Sequence, residues 1–224
     1  MKLVWSPETA LKAYLDTVKS CELFNESSVA EFISAMAAGW NAQLIVETWS
    51  RGGSIETSVG LAIARNHTGA RHICLVSDEE SRIQYQQALE NSRVSPGETI
   101  IIKPDDDEEA AMEGLKGVDF LVVDSSRGNE FERIFRVAKL GNRGAVLICK
   151  NANSRDPDSG FRWKNVVAGK SRIVRSMILP VGKGLDIAHV GATPAGGRSM
   201  LGKPGRRWIN FFDHQSGEEY VFRR

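Results

Sequence analysis

The chain has 224 residues, with 29 Lys and Arg against 28 Asp and Glu and a formal net charge of +1, so as a whole it has no electrostatic bias toward nucleic acid or anionic lipid. That length suits one α/β domain with decorations, and no segment approaches the ~18 uninterrupted apolar residues of a membrane span. Cys21, Cys74 and Cys149 are an odd number at wide spacing and read as reduced core thiols, and the start of the chain lacks the apolar run of a signal peptide. A soluble, cytoplasmic or nuclear protein is expected.

Ser6-Pro7-Glu8 places a hydroxyl at the N-cap, proline at the first helical position and an acid in the first turn. A helix is predicted from there to about Ser20, with Ala10, Leu11, Tyr14, Leu15 and Val18 at helical spacing. A second helix follows Ser27-Ser28, with Val29, Phe32, Ile33, Met36 and Ala37 on one face. From Leu44 the pattern alternates. Strands are predicted over 44–48, 72–77, 99–103, 118–124 and 145–149, and helices over 54–66, 79–91, 106–115 and 129–140. Turn chemistry separates them at Thr68-Gly69, Ser95-Pro96-Gly97 and Gly141 to Gly144. Near-continuous apolar strands alternating with helices mean a parallel sheet covered on both faces.

After Cys149 the rhythm breaks into a polar loop over 151–160. Two strands over 171–179 and 185–190, joined by a turn at Pro180 to Gly184, read as an antiparallel hairpin appended to that sheet. A Gly-rich linker begins at Gly191. Beyond it, Arg206-Arg207-Trp208 to Phe212, a turn around 214–217 and the run from Glu218 to Arg224 form a second, basic and aromatic hairpin. The expected organisation is a Rossmann-type domain over 1–190 and a linker with hairpin over 191–224.

In a doubly wound sheet, ligands sit off the carboxyl ends of the strands where the strand order reverses. The residues expected there are Glu47, Ser77 or Asp78, Asp124, Lys150 and Asn151, with the loop Trp49-Ser50-Arg51-Gly52-Gly53-Ser54 leading into a helix. Backbone N–H groups around Gly52, Gly53 and Ser54 are placed to receive a carboxylate or phosphate, or Gly52-Gly53 is only a tight turn. Asp78 either binds ribose hydroxyls or caps the helix that follows it. The run from Asp105 to Glu109 reads as a solvated helix start, and His67, His72, His189 and His214 show no metal-ligand spacing. The fingerprint G-x-G-x-x-G is absent, which argues against NAD.

Glu47 through Gly53, Phe120-Leu121-Val122-Val123-Asp124, Gly144 through Asn151 and Ile178 through Leu185 together resemble the class I S-adenosylmethionine-dependent methyltransferases. The likeness is to the O-methyltransferases acting on catechols and caffeoyl-CoA. A fuller resemblance, carried by Trp5-Ser6-Pro7-Glu8, Ser216-Gly217-Glu218-Glu219 and Val221-Phe222-Arg223, is to a plant family catalogued as a domain of unknown function and considered methyltransferase-like. This implies an α/β, doubly wound, mostly parallel seven-stranded sheet with two N-terminal helices and an extra C-terminal hairpin. It also implies S-adenosylmethionine as cofactor, held by Glu47, Trp49, Ser50, Gly52, Gly53, Ser54, Ser77 and Asp78, with Asp124, Lys150 and Asn151 facing the substrate.

Two positions depart from the methyltransferase pattern. Trp49 stands where the loop has its first glycine, and an indole there takes space near the cofactor's methionine moiety. In the metal-dependent members an Asp after the fourth strand and an Asp-Asn pair after the fifth hold a divalent ion. Asp124 and Asn151 match two of these, while Lys150 replaces the middle acid and Ser126 another nearby acid. The resemblance therefore implies no catalytic metal. Lys150 either pairs with Asp124 in place of the ion, to orient a substrate oxygen or act as a general base, or is a solvated strand-end residue. Two functions follow: a metal-independent methyltransferase acting on a small molecule, or a catalytically degenerate module binding a nucleotide or a protein partner. Under the second, the aromatic tail is a partner surface or merely satellite core. Nucleic-acid contact through Arg206-Arg207 and Arg223-Arg224 is a minority expectation, given the near-zero net charge.

Overall fold

A computed structural model describes residues 4–24, 27–92, 99–102, 108–125, 130–155, 160–167, 172–192, 208–212 and 219–223. The expected turns at 95–97 and 214–217, Asp105 to Asp107, Ser126, the loop centre at 156–159, the linker from Thr193, Arg206-Arg207 and Arg224 lie outside them.

Helix α1 (Pro7–Ser20) starts as its cap chemistry requires, the Ser6 side chain accepting the Thr9 N–H at 3.4 Å. Helix α2 spans Ser28–Gly39. The expected apolar stripe of α1 is corrected here. Ala10, Ala13 and Thr17 are buried, whereas Leu11, Tyr14, Leu15 and Val18 are exposed. Small side chains let α1 approach α2 closely, and the Thr17 hydroxyl donates to Ala13 O at 2.8 Å and lies 2.9 Å from Ser34 Oγ, so the contact leaves these buried hydroxyls satisfied.

The alternating part runs β1 (Leu44–Trp49), α3 (Glu56–Thr68), β2 (Arg71–Val76), α4 (Glu79–Asn91), β3 (Ile100–Ile102), α5 (Glu108–Gly114), β4 (Lys116–Val118), β5 (Phe120–Asp124), α6 (Glu130–Val137), β6 (Lys139–Leu140) and β7 (Ala145–Lys150). A 3-10 turn at Ala152–Ser154 and α7 (Trp163–Val166) lead to the hairpin β8 (Ile173–Leu179) and β9 (Leu185–Val190). The seven-stranded sheet has the order β3-β2-β1-β5-β7-β9-β8. It is parallel from β3 to β7 and antiparallel at β9 and β8. Strand order reverses between β1 and β5, which fixes the end of the sheet where a ligand cleft belongs.

Side chains alternate across the sheet. Ile45, Val122, Val146 and Ile148 enter the core that holds Ile33 of α2 and Val59 of α3. Val46, Leu121 and Leu147 enter the other, with Phe131, Phe135 and Trp163. All three cysteines are buried and free.

The single strand expected over 118–124 is corrected to two, broken at Asp119. The buried Asp119 carboxylate accepts the Leu44 N–H at 2.9 Å and the Gln43 N–H at 3.0 Å, and receives the Arg143 guanidinium at 2.7 Å. That use of the side chain ties the amino end of β1 to the loop before β7, while the backbone at 119 still reaches both neighbours, its N–H donating to Leu44 O at 3.3 Å and its carbonyl accepting from Val146 N at 2.9 Å.

Helix α3 meets α2 at Gly60, where an added Cβ would lie 2.6 Å from Ala30 O and 3.2 Å from Ala30 C. Backbone on the α2 side has no rotamer by which to yield. Gly60→Val is expected to cost about 2–3 kcal/mol by overpacking, read from urea denaturation. Gly114→Ala, with open space around it, is the control and should lie within about 0.5 kcal/mol of wild type.

The chain divides into two compact units, Met1–Thr193 and Pro194–Arg224. The second contains an antiparallel hairpin of β10 (Trp208–Phe212) and β11 (Glu219–Arg223), with Trp208 opposite Arg223 and Phe212 opposite Glu219.

Candidate functional site

The carboxyl ends of β1, β5 and β7 bring six of the expected residues to one cleft of about 300 Å³. Gly52, Gly53 and Ser54 line one side and Asp124, Lys150 and Asn151 another. The turn of the β8–β9 hairpin closes a third side through Gly182 and Lys183. It is held there because Ala152 N and Asn153 N donate to Gly184 O and Lys183 O, both at 3.0 Å. Glu56 and Thr57, at the start of α3, also line the cleft. Lys183 and Glu56 were not singled out by the sequence. The one signal for Lys183 was its place in the hairpin turn, and the one for Glu56 its place near the start of the helix predicted over 54–66.

The glycine loop is a tight turn, one of the two readings its sequence allowed. Gly53 N donates to Ser50 O at 2.9 Å, and Gly52 has φ +75°, the left-handed conformation that its lack of a Cβ permits. Helix α3 begins two residues after Ser54 with no side-chain cap, so its first N–H groups are available to a ligand. One carboxylate oxygen of Glu56, Oε2, is buried without a hydrogen-bond partner among the described residues.

Trp49 is 4 % exposed. Its indole turns into the core against Tyr85 of α4, edge to face at 5.4 Å between centroids, and is not part of the cleft lining. Its Nε1 has no partner among the described residues, and Gly53 sits over it, a Cβ there falling 3.1 Å from Nε1.

Glu47 lies beneath the loop, 1 % exposed. Oε1 accepts from Tyr85 OH at 2.8 Å and lies 3.0 Å from His72 Nε2, while Oε2 accepts from Ser58 Oγ at 2.9 Å. Burial works to raise its pKa. The hydrogen bond and charge of His72, the Lys150 ammonium and the Tyr85 hydroxyl outweigh burial and hold the carboxyl below its ordinary value. With both oxygens occupied by protein donors, the structure puts Glu47 in the support of the loop.

Asp78 and Ser77 lie apart from the cleft lining. The Asp78 carboxylate caps α4, accepting the Ser81 N–H at 2.6 Å and the Ser77 hydroxyl at 3.2 Å. The backbone bond from Ser81, its hydroxyl, Ser77 and Arg51 lower the Asp78 pKa against slight burial. Arg51 crosses from the first loop to Asp78 at 3.7 Å and Glu80 at 2.9 Å.

The substrate-side trio is compact. Lys150 is 5 % exposed, and Nζ lies 3.6 Å from Asp124 Oδ2. Asn151 Nδ2 donates to Asp124 Oδ1 at 2.8 Å. Asn151 has φ +59°, and the buried Ser125 hydroxyl fixes this bend by reaching the carbonyls of Lys150 and Asn151, both at 2.9 Å. Of the two readings of Lys150, the solvated strand-end residue is excluded by its burial.

Over residues 1–224 the chain matches the family described as Protein of unknown function (DUF1442). The chain belongs to this family. Among solved structures, this DUF1442 protein is similar to a methyltransferase from Geobacter sulfurreducens, with TM-score 0.54 and 18 % identity over 80 % of this chain and 88 % of that one. It is also similar to the SAH-bound methyltransferase PaMTH1 of Podospora anserina, with TM-score 0.55 and 12 % identity over 83 % and 89 %. A putative caffeoyl-CoA O-methyltransferase from Staphylococcus aureus matches with TM-score 0.52 and 16 % identity over 72 % and 82 %. No curated protein matches it. The fold is that of the class I methyltransferases.

The residues present do not fit a divalent metal. A cation on Asp124 and Asn151 would face the buried Lys150 ammonium, and like unit charges about 4 Å apart repel by ~4 kcal/mol at an effective dielectric near 20. They do fit a methionyl group, because the cleft brings Glu56, whose Oε2 has no partner among the described residues and could accept from an ammonium, together with Lys183 and the open start of α3, which suit a carboxylate.

Proposed function

We propose that this DUF1442 protein is a metal-independent, S-adenosylmethionine-dependent methyltransferase acting on a small molecule. The observation that carries the reading is the single cleft at the carboxyl edge, in which the start of α3 meets Asp124, Lys150 and Asn151. The cofactor would supply an electrophilic methyl group when bound, with Glu56, Lys183 and Ser54 at its methionyl end. The buried Lys150 ammonium orients an anionic or hydroxyl acceptor oxygen, and Asp124 with Asn151 keeps that ammonium in place. A fixed cation favours the ionised form of an acceptor hydroxyl in the way a metal would, at one charge in place of two.

A second reading, a catalytically degenerate binding or regulatory module, is favoured by a different observation. Arg51 bridges the first loop to Asp78 and Glu80, which occupies the acid that would otherwise meet a ribose, and the cleft of about 300 Å³ is small against the 300–1,000 Å³ usual for ligand pockets.

Isothermal titration with S-adenosylmethionine and S-adenosylhomocysteine separates the two. On the first reading, wild type binds both at micromolar Kd, and Arg51→Ala, which frees Asp78, tightens binding by about threefold to tenfold. Binding by neither wild type nor Arg51→Ala would sink the methyltransferase reading. No binding by wild type with recovery in Arg51→Ala would support the degenerate one.

A further inference from the structure

The larger cavity lies at the other end of the sheet. It measures about 680 Å³ and is formed where β7 begins, where β9 ends and where the edge strand β8 starts. Its walls are apolar, with Trp40, Val174 and Met177 among them, and its charged groups are Arg143, Arg172 and Arg175 beside His189. In a chain with near-balanced charge, three guanidinium-bearing residues around one apolar concavity are a local excess. Among the described residues no acid lines it. Arg143 is committed to Asp119. Arg172 and Arg175 are exposed and without an ion-pair partner among the described residues.

The backbone aims one of these charges. Ile173 pairs with Val190 and Arg175 with His189, so Val174 is an extra residue in the edge strand. A bulge of this kind re-aims the side chain that follows it, and register then places Arg175 opposite His189, on the same face of the sheet. The His189 ring stands edge to face with Trp40 at 5.4 Å, and Trp40 in turn with Trp5 at 5.4 Å. Burial first, and the Arg175 charge second, push the His189 pKa down, consistent with a positive charge held close to the ring.

We propose that this cavity is a second binding site, separate from the carboxyl-edge cleft, for a small anion with a planar or apolar body, of the aryl phosphate or aryl carboxylate class. Arg172 and Arg175 would receive the anionic head by charge-assisted hydrogen bonds. Trp40, Met177 and the His189 ring would cover the body, so that charge and apolar surface act on one molecule.

The test uses the full chain at low salt, with phenyl phosphate as probe, inorganic phosphate for the head alone and benzyl alcohol for the body alone. Phenyl phosphate should bind at least about tenfold more tightly than either fragment, and Arg172→Ala and Arg175→Ala should each weaken it by about fivefold to tenfold. Both arginines are exposed, so Tm should not move. On titration, the His189 ring and Trp40 indole resonances should shift. Equal affinity for inorganic and phenyl phosphate would overturn the proposal, as would no binding at ~10 mM probe. So would retained affinity in both arginine variants together with loss in Lys183→Ala, which would place the anion in the other cleft. None of these outcomes bears on the methyltransferase reading: the first two concern only the second cavity, and the third shows an anion accepted in the carboxyl-edge cleft, which leaves binding of S-adenosylmethionine there to its own titration.

Discussion

Glu47→Ala is expected to destabilise the protein by about 3–5 kcal/mol, the usual cost of removing one member of a buried charged network. Three donors converge on this carboxylate, from His72, Tyr85 and Ser58, and each is left in the core without an acceptor. The Lys150 ammonium, whose charge helps hold the Glu47 pKa down, also loses an opposing charge. Glu47→Gln keeps the shape and one acceptor but presents an amide N–H₂ to groups that donate, and should cost about 2–3 kcal/mol. The pH dependence has a definite sign. The folded carboxyl is held below its ordinary value of 4.5, so its contribution is present above the unfolded value and is lost as pH falls through the folded one. The gap in urea stability between wild type and Glu47→Gln should therefore be constant from neutral pH to about 5.5 and close as pH drops below about 4.5. A gap that stays constant to pH 3 would mean that the carboxyl has no depressed pKa, and a loss under 1 kcal/mol in Glu47→Ala would mean the network is not built as described.

Lys150→Met is the second large effect, with an expected loss of about 3–4 kcal/mol. The stem is retained, but Asp124 loses its cation at 3.6 Å and Glu47 loses a more distant one. Asp124→Asn should cost less, about 2 kcal/mol, because Lys150 still faces Glu47 while Asn151 loses only a charge on its acceptor. In the double variant the losses should fall short of additive by about 1–2 kcal/mol. Strict additivity would show that the two side chains do not sense each other, and with that the role of Asp124 in holding Lys150 toward an acceptor would go. Both single variants should retain S-adenosylmethionine binding within about threefold while losing turnover on any acceptor found, since they lie on the substrate side of the cleft.

The sequence by itself determined the architecture. The alternation from Leu44 onward, the Ser6 cap and the turn at Gly182 are local signals, because period, capping and turn chemistry act over a few residues. They located the α/β sheet, the carboxyl edge and six residues that share a cleft. Only the tertiary structure decided what those residues do there. Glu47, read as a cofactor acid, is occupied by His72, 25 residues away, and Tyr85, 38 residues away. Asp119, between β4 and β5, spends its side chain on the N–H groups of Gln43 and Leu44. The exposed Leu11, Leu15 and Val18 of α1 kept their helical period but lost the core to Ala13 and Thr17. The cavity around Arg172 and Arg175 draws on α2, β7, β8 and β9, elements that no window of sequence places together. Each case has one physical reason: a side chain's environment is set by whichever distant surface packs against it, and period and propensity carry no information about that partner.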